Sequence, residues 1–297
     1  MRSSATPRWA TERTTSRATF GPSVVEVAGI LGFDALPWTV AGMEVALEHD
    51  AAGQLAYRDV VWTVPRQAAN TTSELFLIVW RMLAMPGQRC AFGMQNRLAA
   101  KHKLLDDFWP IVSRSKLGPM FSVTRATGSE SLRCSNGSIL SILSSEESAG
   151  HGGSLDLAIL DEAWAMEATT EQAVRPSLIT KVNGQLWITS TQGTARSVWW
   201  NAKVDAGRLA VESGTDKGLA FLEYSAPPDA DPASPATWWA THPALGYTIT
   251  EETFAADFKA MTLKEFRRSH LNQRADDLAD AGWNVIPRNI WQQAANW

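Results

Sequence analysis

Two rhythms of apolar and polar positions run through this chain. Near-continuous apolar stretches at residues 57–64, 89–94, 155–160, 185–190 and 219–224 read as strands, and an inner strand of a parallel sheet has this unbroken apolar character. Helical periodicity fills the gaps. Val24, Val25, Val27, Ala28 and Leu31 repeat at helical spacing after Pro22 and stop near Gly32. Further helices are predicted over 36–49, 75–83, 96–108, 170–178 and 251–274. Alternating strands and helices predict a three-layer α/β domain on a mainly parallel sheet. One pair of segments breaks the rule. Residues 132–135 and 138–143 flank Asn136-Gly137, a dipeptide suited to the tight turn of an antiparallel hairpin.

The two ends read differently from the middle. Residues 1–20 carry Arg2, Arg8, Arg13 and Arg17 against one acid, Glu12, among Ser, Thr and Ala, which predicts a flexible basic arm. A Pro/Asp/Ala stretch at 227–235 marks a boundary. The division expected is therefore an arm over 1–20, an α/β core over 21–226, and a small C-terminal subdomain with a linker over 227–297.

Composition narrows the classes. A chain of 297 residues with 45% hydrophobic content can fill a sizeable core. No apolar run approaches the roughly 18 residues of a bilayer span, and the N-terminus lacks the apolar core of a secretory signal, so no membrane partner and a cytoplasmic setting are expected. Cys90 and Cys134 by themselves make neither a disulfide framework nor a zinc site. A net charge of −4 excludes a surface coated with basic residues for passive nucleic-acid binding, so any contact with DNA must be local.

The chemistry gathers at three strand ends. The run Leu155-Asp156-Leu157-Ala158-Ile159-Leu160 stops at Asp161-Glu162, which delivers two carboxylates to the sheet edge where open α/β sheets bind ligands. In nucleotide-hydrolysing proteins the first acid holds Mg²⁺ and the second orients and deprotonates the attacking water. Asp161 is then the metal residue and Glu162 the catalytic base. A core strand ending in a solvated acidic turn is the alternative.

The second strand end runs Pro65-Arg66-Gln67-Ala68-Ala69-Asn70-Thr71-Thr72 into a helix, the context of a phosphate-binding loop. With Thr71 as the Mg²⁺-binding hydroxyl, Val64, Ala69 and Asn70 occupy the two glycine positions and the lysine position of G-x-x-x-x-G-K-[ST]. A Cβ at Ala69 disfavours left-handed backbone by roughly 1–2 kcal/mol. Asn70 brings no cation, and Arg66 is the nearby replacement charge. On pattern alone the stretch reads as an ordinary strand-to-helix turn capped by Thr or Ser. At the third strand end, Thr189, Ser190 and Thr191 stand where hydroxyls could sense a γ-phosphate, or merely cap the strand. His151, in the polar loop 144–153, and Arg196 are further candidates.

In order, these pieces resemble the N-terminal ATPase domain of the large terminase subunit of tailed bacteriophages, over roughly residues 20–290. The resemblance is carried by Leu36-Pro37-Trp38, Val64-Pro65-Arg66-Gln67 with Thr71, Gln95-Asn96, Gly150-His151-Gly152, Leu160-Asp161-Glu162-Ala163-Trp164 and Ile188-Thr189-Ser190-Thr191. His242-Pro243-Ala244-Leu245-Gly246, Glu265-Phe266 and Leu271-Asn272 complete it.

That resemblance implies a RecA-like P-loop ATPase fold and a motor that packages double-stranded DNA into procapsids. It implies ATP and Mg²⁺ at residues 66–72 with Asp161, Glu162 as catalytic carboxylate, Pro37, Trp38 and Thr39 in the adenine region, and Thr189 to Thr191 as the coupling segment. Partners implied are DNA, the portal protein and procapsid, a small terminase subunit and further copies of the chain in a ring, in the host cytoplasm and transiently at the portal. Ala69, Asn70 and Thr39, where the family carries Gly, Lys and Gln, weigh against full turnover and support a second reading, a hydrolysis-deficient assembly module. The chain ends where the family's nuclease domain begins, so no nuclease activity is expected. A helicase-like translocase is a third reading, weakened by the few strands expected after Thr194.

Overall fold

The structure, a computed structural model, describes residues 2–3, 5–143, 153–215 and 218–274. The strands in chain order are β1 (Trp9–Ala10), β2 (Ala18–Thr19), β3 (Glu48–His49), β4 (Asp59–Thr63), β5 (Arg89–Gly93), β6 (Phe121–Thr124), β7 (Ser131–Cys134), β8 (Ile139–Ile142), β9 (Leu157–Leu160), β10 (Gln185–Ser190) and β11 (Leu219–Glu223). The helices are α1 (Gly21–Ile30), α2 (Pro37–Ala46), α3 (Asn70–Ala84), α4 (Arg97–His102), α5 (Trp109–Arg114), α6 (Ala168–Leu178), α7 (Val198–Ser213), α8 (Pro235–Thr241), α9 (Glu251–Ala260) and α10 (Leu263–His270). A π-helical turn, Lys103–Phe108, joins α4 to α5.

Among the described residues nine strands form one sheet, ordered β1-β11-β4-β10-β9-β5-β8-β7-β6. Strands β11 through β8 in that order run parallel, as the uninterrupted apolar runs predict. The register pairs Ser190 with Thr63, Ile188 with Leu160 and Gly93 with Leu160, so the carboxyl ends of the central strands share one edge. Strand β10 stands between β4, which feeds the phosphate loop, and β9, which feeds the two acids. The hairpin is present as β7 and β8, with Gly137 at φ +90 in its turn.

Alternation within the strands builds the layers. Val60 and Trp62 of β4, Trp187 of β10 and Ile159 of β9 join one core with α1, α2 and α3, while Val61, Ile188, Ala158 and Leu160 join another with α6 and α7. Trp62 and Trp187 meet edge to face at 4.8 Å, which fixes β4 against β10. A third cluster, with Trp238, Phe254, Phe266 and Leu271, packs α8, α9 and α10 together beyond the sheet. No helix among the described residues is long and apolar enough to cross a membrane.

Two expectations need correction, and helix α7 is an element that the apolar pattern does not predict. Residues 8–19 are not a free arm. Trp9–Ala10 adds antiparallel to β11, and Arg13 and Arg17 pair with the fully buried Glu48 at 2.9 and 3.2 Å. An open sheet edge needs a partner and a buried acid needs cations, and together these demands outweigh the low hydrophobicity of the segment. The helical region 251–274 is two helices, because Thr262 caps a new start and accepts the Glu265 N–H. Helix α7 has no strong apolar stripe: its buried face is Trp200, Asn201, Val204 and Gly207, and at Gly207 a Cβ would come 2.1 Å from the Phe221 ring. Residues 144–152 with His151, and the tail from 275, lie outside the described residues.

Candidate active site

The phosphate-loop candidate is held in a conformation its composition disfavours. Gln67 and Ala69 have φ of +62 and +70, and Glu162 lies at +58. With Asn272 at +51 they are the non-glycine residues of positive φ among the described residues. Each such residue costs on the order of 1–3 kcal/mol and persists only where its surroundings over-determine it. Here Trp38 Nε1 donates to Ala68 O at 2.9 Å, Ala68 is buried, and the Ser73 amide and hydroxyl both donate to Ala69 O.

Helix α3 therefore starts at Asn70 with no capping side chain. A Thr or Ser cap is not what forms. The Ser73 hydroxyl serves Ala69 O and Thr39, and the Thr71 hydroxyl turns to Asp161. Among the described residues the first-turn amides of Asn70, Thr71 and Thr72 are left for an anion, with the positive end of the helix dipole behind them.

Opposite the loop stands Asp161, fully buried at the tip of β9. It accepts from Thr71 Oγ1 at 2.7 Å, Asn70 Nδ2 at 3.1 Å, Thr189 Oγ1 at 3.1 Å and the Glu162 amide at 2.8 Å. Burial, then the charge of Glu162, raises its pKa to about 6. Glu162 itself is only partly buried, and its Oε2 accepts from Trp164 Nε1 at 2.6 Å. Arg66, Gln67, Ala69, Asn70, Thr71 and Thr72 form one wall of a cavity of about 400 Å³, and Met94, Lys103, Glu162 and Thr191 form the others. A cavity of this size suits a small polar ligand. Another of similar volume lies between β8 and α6, where the acid Glu130 is already paired with Arg97 at 2.7 Å.

The three hydroxyl residues at the end of β10 each face a different element. Thr189 bridges two acids, touching Glu74 Oε1 and Asp161 Oδ1. Ser190 Oγ accepts the Trp164 amide at 3.1 Å. Thr191 Oγ1 reaches Asn272 Oδ1 at 3.1 Å and Arg268 O at 3.3 Å, just after α10 and within it. One hydroxyl proton cannot serve both Glu74 and Asp161. Burial, then the charge of Asp161, raises the pKa of Glu74 well above the usual carboxylate range.

None of the three predicted residues of the adenine region, Pro37, Trp38 and Thr39, is in the cavity wall. Trp38 is 3% exposed, edge-on to Trp62, and Thr39 is 2% exposed, bonded to Ser73 at 2.9 Å. Both brace the loop from behind because their polar atoms are consumed there, and only Pro37 is exposed. Arg196 is exposed and outside the cavity wall as well.

Four further residues belong to the site. Glu74 is the sole acid in α3, a visible anomaly in an apolar helix. Arg268 lies over the Trp164 ring at 5.3 Å, beside Glu162. His242 is buried with Nε2 2.9 Å from Arg66 O and Nδ1 accepting the Ala244 amide, so Nε2 carries the proton. Burial lowers its pKa to about 4, which keeps it neutral. Asn272 accepts from Thr191 and the Gln192 amide and donates to Thr63 and Tyr224 O, tying the ends of β4, β10 and β11 to the segment after α10. His242 and Asn272 stood within the resembling segments, but nothing in the sequence assigned them partners.

No family model matches the sequence, and no curated protein matches it. Solved structures do. The large terminase of bacteriophage HK97 is 22% identical, with a TM-score of 0.73 over 86% of this chain and 56% of that one. The ATPase domain of the Thermus phage P74-26 large terminase is 15% identical, with a TM-score of 0.54 over 83% of this chain and 96% of that domain. The large terminase of a thermophilic bacteriophage, solved in complex with ADP, is 10% identical, with a TM-score of 0.53 over 86% of this chain and 53% of that one. This chain thus spans a little over half the length of the HK97 protein and of the ADP-bound thermophilic-phage protein. Its fold is that of the ATPase domain of phage large terminases.

Proposed function

We propose that this chain is the ATPase motor domain of a phage large terminase, coupling ATP hydrolysis to the packaging of double-stranded DNA into procapsids. One observation carries the reading: an uncapped helix start on a strained loop faces Glu162 across a cavity of about 400 Å³, with buried Asp161 bonded directly to Thr71 at its floor. Residues 66–72 cradle the phosphates, with the amides of Asn70, Thr71 and Thr72 at the start of α3 as the donors. Pro37 is assigned to the side of the base on family likeness. Asp161 and Thr71 are assigned to Mg²⁺: both offer oxygen, and a magnesium ion takes one or two protein oxygens with water and phosphate completing its shell. Mg²⁺, when bound, neutralises charge on the phosphates. Glu162 orients the attacking water and takes its proton. Held by the Trp164 indole N–H, it is already aimed.

Thr189, Ser190 and Thr191 carry the state of the site outward, through Asp161, Trp164 and Asn272 respectively. On likeness of fold, the partners are double-stranded DNA, the portal protein and procapsid, a small terminase subunit, and other copies of the chain in a ring, at the portal in the host cytoplasm. Asn70 supports a second reading, a hydrolysis-deficient assembly module, because this residue brings no cation and spends its amide on Asp161.

Phosphate release with ATP, Mg²⁺ and double-stranded DNA separates the readings. The motor reading predicts turnover by the unaltered chain and a loss of about 10²–10⁴-fold in Glu162→Gln, with nucleotide binding kept. Equal rates in the two proteins would dispose of it, and binding without turnover in the unaltered chain would favour the assembly module.

A further inference from the structure

Asn70 leaves the phosphate loop without the cation that a triphosphate needs, but the opposite wall of the cavity has one. Lys103 lines the same space as Asn70, Thr71 and Glu162. Among the described residues lining the cavity, Arg66, on the loop wall, is the other cation, and its backbone is pinned by its amide donating to Ser269 O at 2.8 Å and its carbonyl accepting from His242. Two positive groups thus flank the cavity from different elements.

The local fold explains how Lys103 gets there. Helix α4 follows β5, the neighbour of the strand that bears the acids, and at residue 103 the chain passes from α-helical to π-helical turns. A π turn changes the direction of the side chains that follow it and recurs at functional sites. Leu104, Leu105 and Phe108 of this turn are buried in the core, while Lys103 borders the cavity. Its Nζ is 2.6 Å from Asp107 Oδ2 in an i,i+4 pair whose side chains are 29% and 53% exposed. Such a pair is worth about 0–1 kcal/mol, so a phosphate can take the ammonium from it. The Lys103 charge also acts on buried Glu74, the neighbour of Asp161 across Thr189.

We propose that Lys103 replaces the phosphate-loop lysine, its ammonium leaving Asp107 to contact the β- and γ-phosphate oxygens of a nucleoside triphosphate held between residues 69–72 and Glu162. This rests on the ATPase reading above. It makes Lys103 a substrate-binding residue supplied from a different helix, and Asn70 a residue that holds Asp161 in place.

Calorimetric titration of the full chain with ATPγS and with ADP, each with Mg²⁺, tests it. Lys103→Ala and Lys103→Met should weaken ATPγS binding about tenfold or more, and ADP binding less, because a charge-assisted contact to the terminal phosphate is lost. Their melting temperature should change little, since the Lys103–Asp107 pair is half-exposed and such pairs contribute about 0–1 kcal/mol. Lys103→Arg should keep much of the affinity, Asn70→Lys should restore it in the Lys103→Ala background, and Asp107→Asn should bind at least as well as the unaltered chain. If the unaltered chain binds ATPγS and Lys103→Ala stays within about twofold of it, the Lys103 assignment falls and the ATPase reading stands. If the unaltered chain binds neither nucleotide, the ATPase reading falls and takes Lys103 with it.

Discussion

Ala69 sits at φ +70 in a position where glycine would be free of strain. The sequence shows a residue unsuited to a left-handed turn, and taken locally that argues against a phosphate loop. The backbone adopts the turn because distant groups impose it: the Trp38 indole, the buried Ala68 methyl and the Ser73 side chain all fix the loop from behind. Ala69→Gly should therefore relieve about 1–2 kcal/mol of strain. Glycine's larger unfolded-state entropy returns about 0.5–1 kcal/mol of that, leaving a net gain of about 0–1.5 kcal/mol. Thermal unfolding should show a higher midpoint for the variant. A lower midpoint would mean that the loop relaxes out of this turn. The same bracing places Trp38 and Thr39 behind the loop: their nearness to it is legible in the sequence, but which side of it they occupy is not. Asp161 and Glu162 were legible for the opposite reason, since an inner strand ending in two acids has one edge at which to present them.

Among the elements, the inner strands and the hairpin could be read directly because burial on both faces and an Asn-Gly turn leave local marks. Strand β1 and helix α7 left none, the first because its pairing with β11 spans more than 200 residues, the second because its buried face includes Asn201 and Gly207. The segment after α8 matters for a reason equally invisible in a linear reading. His242 donates to the Arg66 carbonyl, so this segment holds the outer end of the phosphate loop. Its imidazole carries a folded-state pKa of about 4 against an ordinary 6.5. As pH falls, the unfolded chain takes the proton first. The stability tied to this group is therefore complete above about pH 6.5 and is lost progressively down to about pH 4, by on the order of 3 kcal/mol. His242→Gln has no proton to gain. The melting-temperature advantage of the unaltered chain over His242→Gln should shrink as pH is lowered from 7 to 4, and parallel pH profiles would contradict a buried neutral imidazole.

On the scale of the whole molecule, β10 links the cavity between the loop and Glu162 to the rest of the fold. It runs between the strand of the loop and the strand of the acids; Thr189 and Ser190 at its end touch Asp161 and the turn after Glu162, and Thr191 just beyond it touches Asn272 after α10. Any change in how Asp161 is occupied has a short hydrogen-bonded route to the third cluster, around α8, α9 and α10. An α/β architecture could be read from the chain as a whole, but this route could not, because it depends on which hydroxyl faces which element at the sheet edge. The account rests on a triphosphate fitting between residues 69–72 and Glu162. A crystal structure grown with a non-hydrolysable ATP analogue and Mg²⁺ tests that most directly. Density for the phosphates at the first-turn amides of α3, with the metal between Thr71 and Asp161 and the terminal phosphate facing Glu162, is the predicted result. An analogue bound elsewhere, or a cavity that stays empty at saturating analogue, would contradict it.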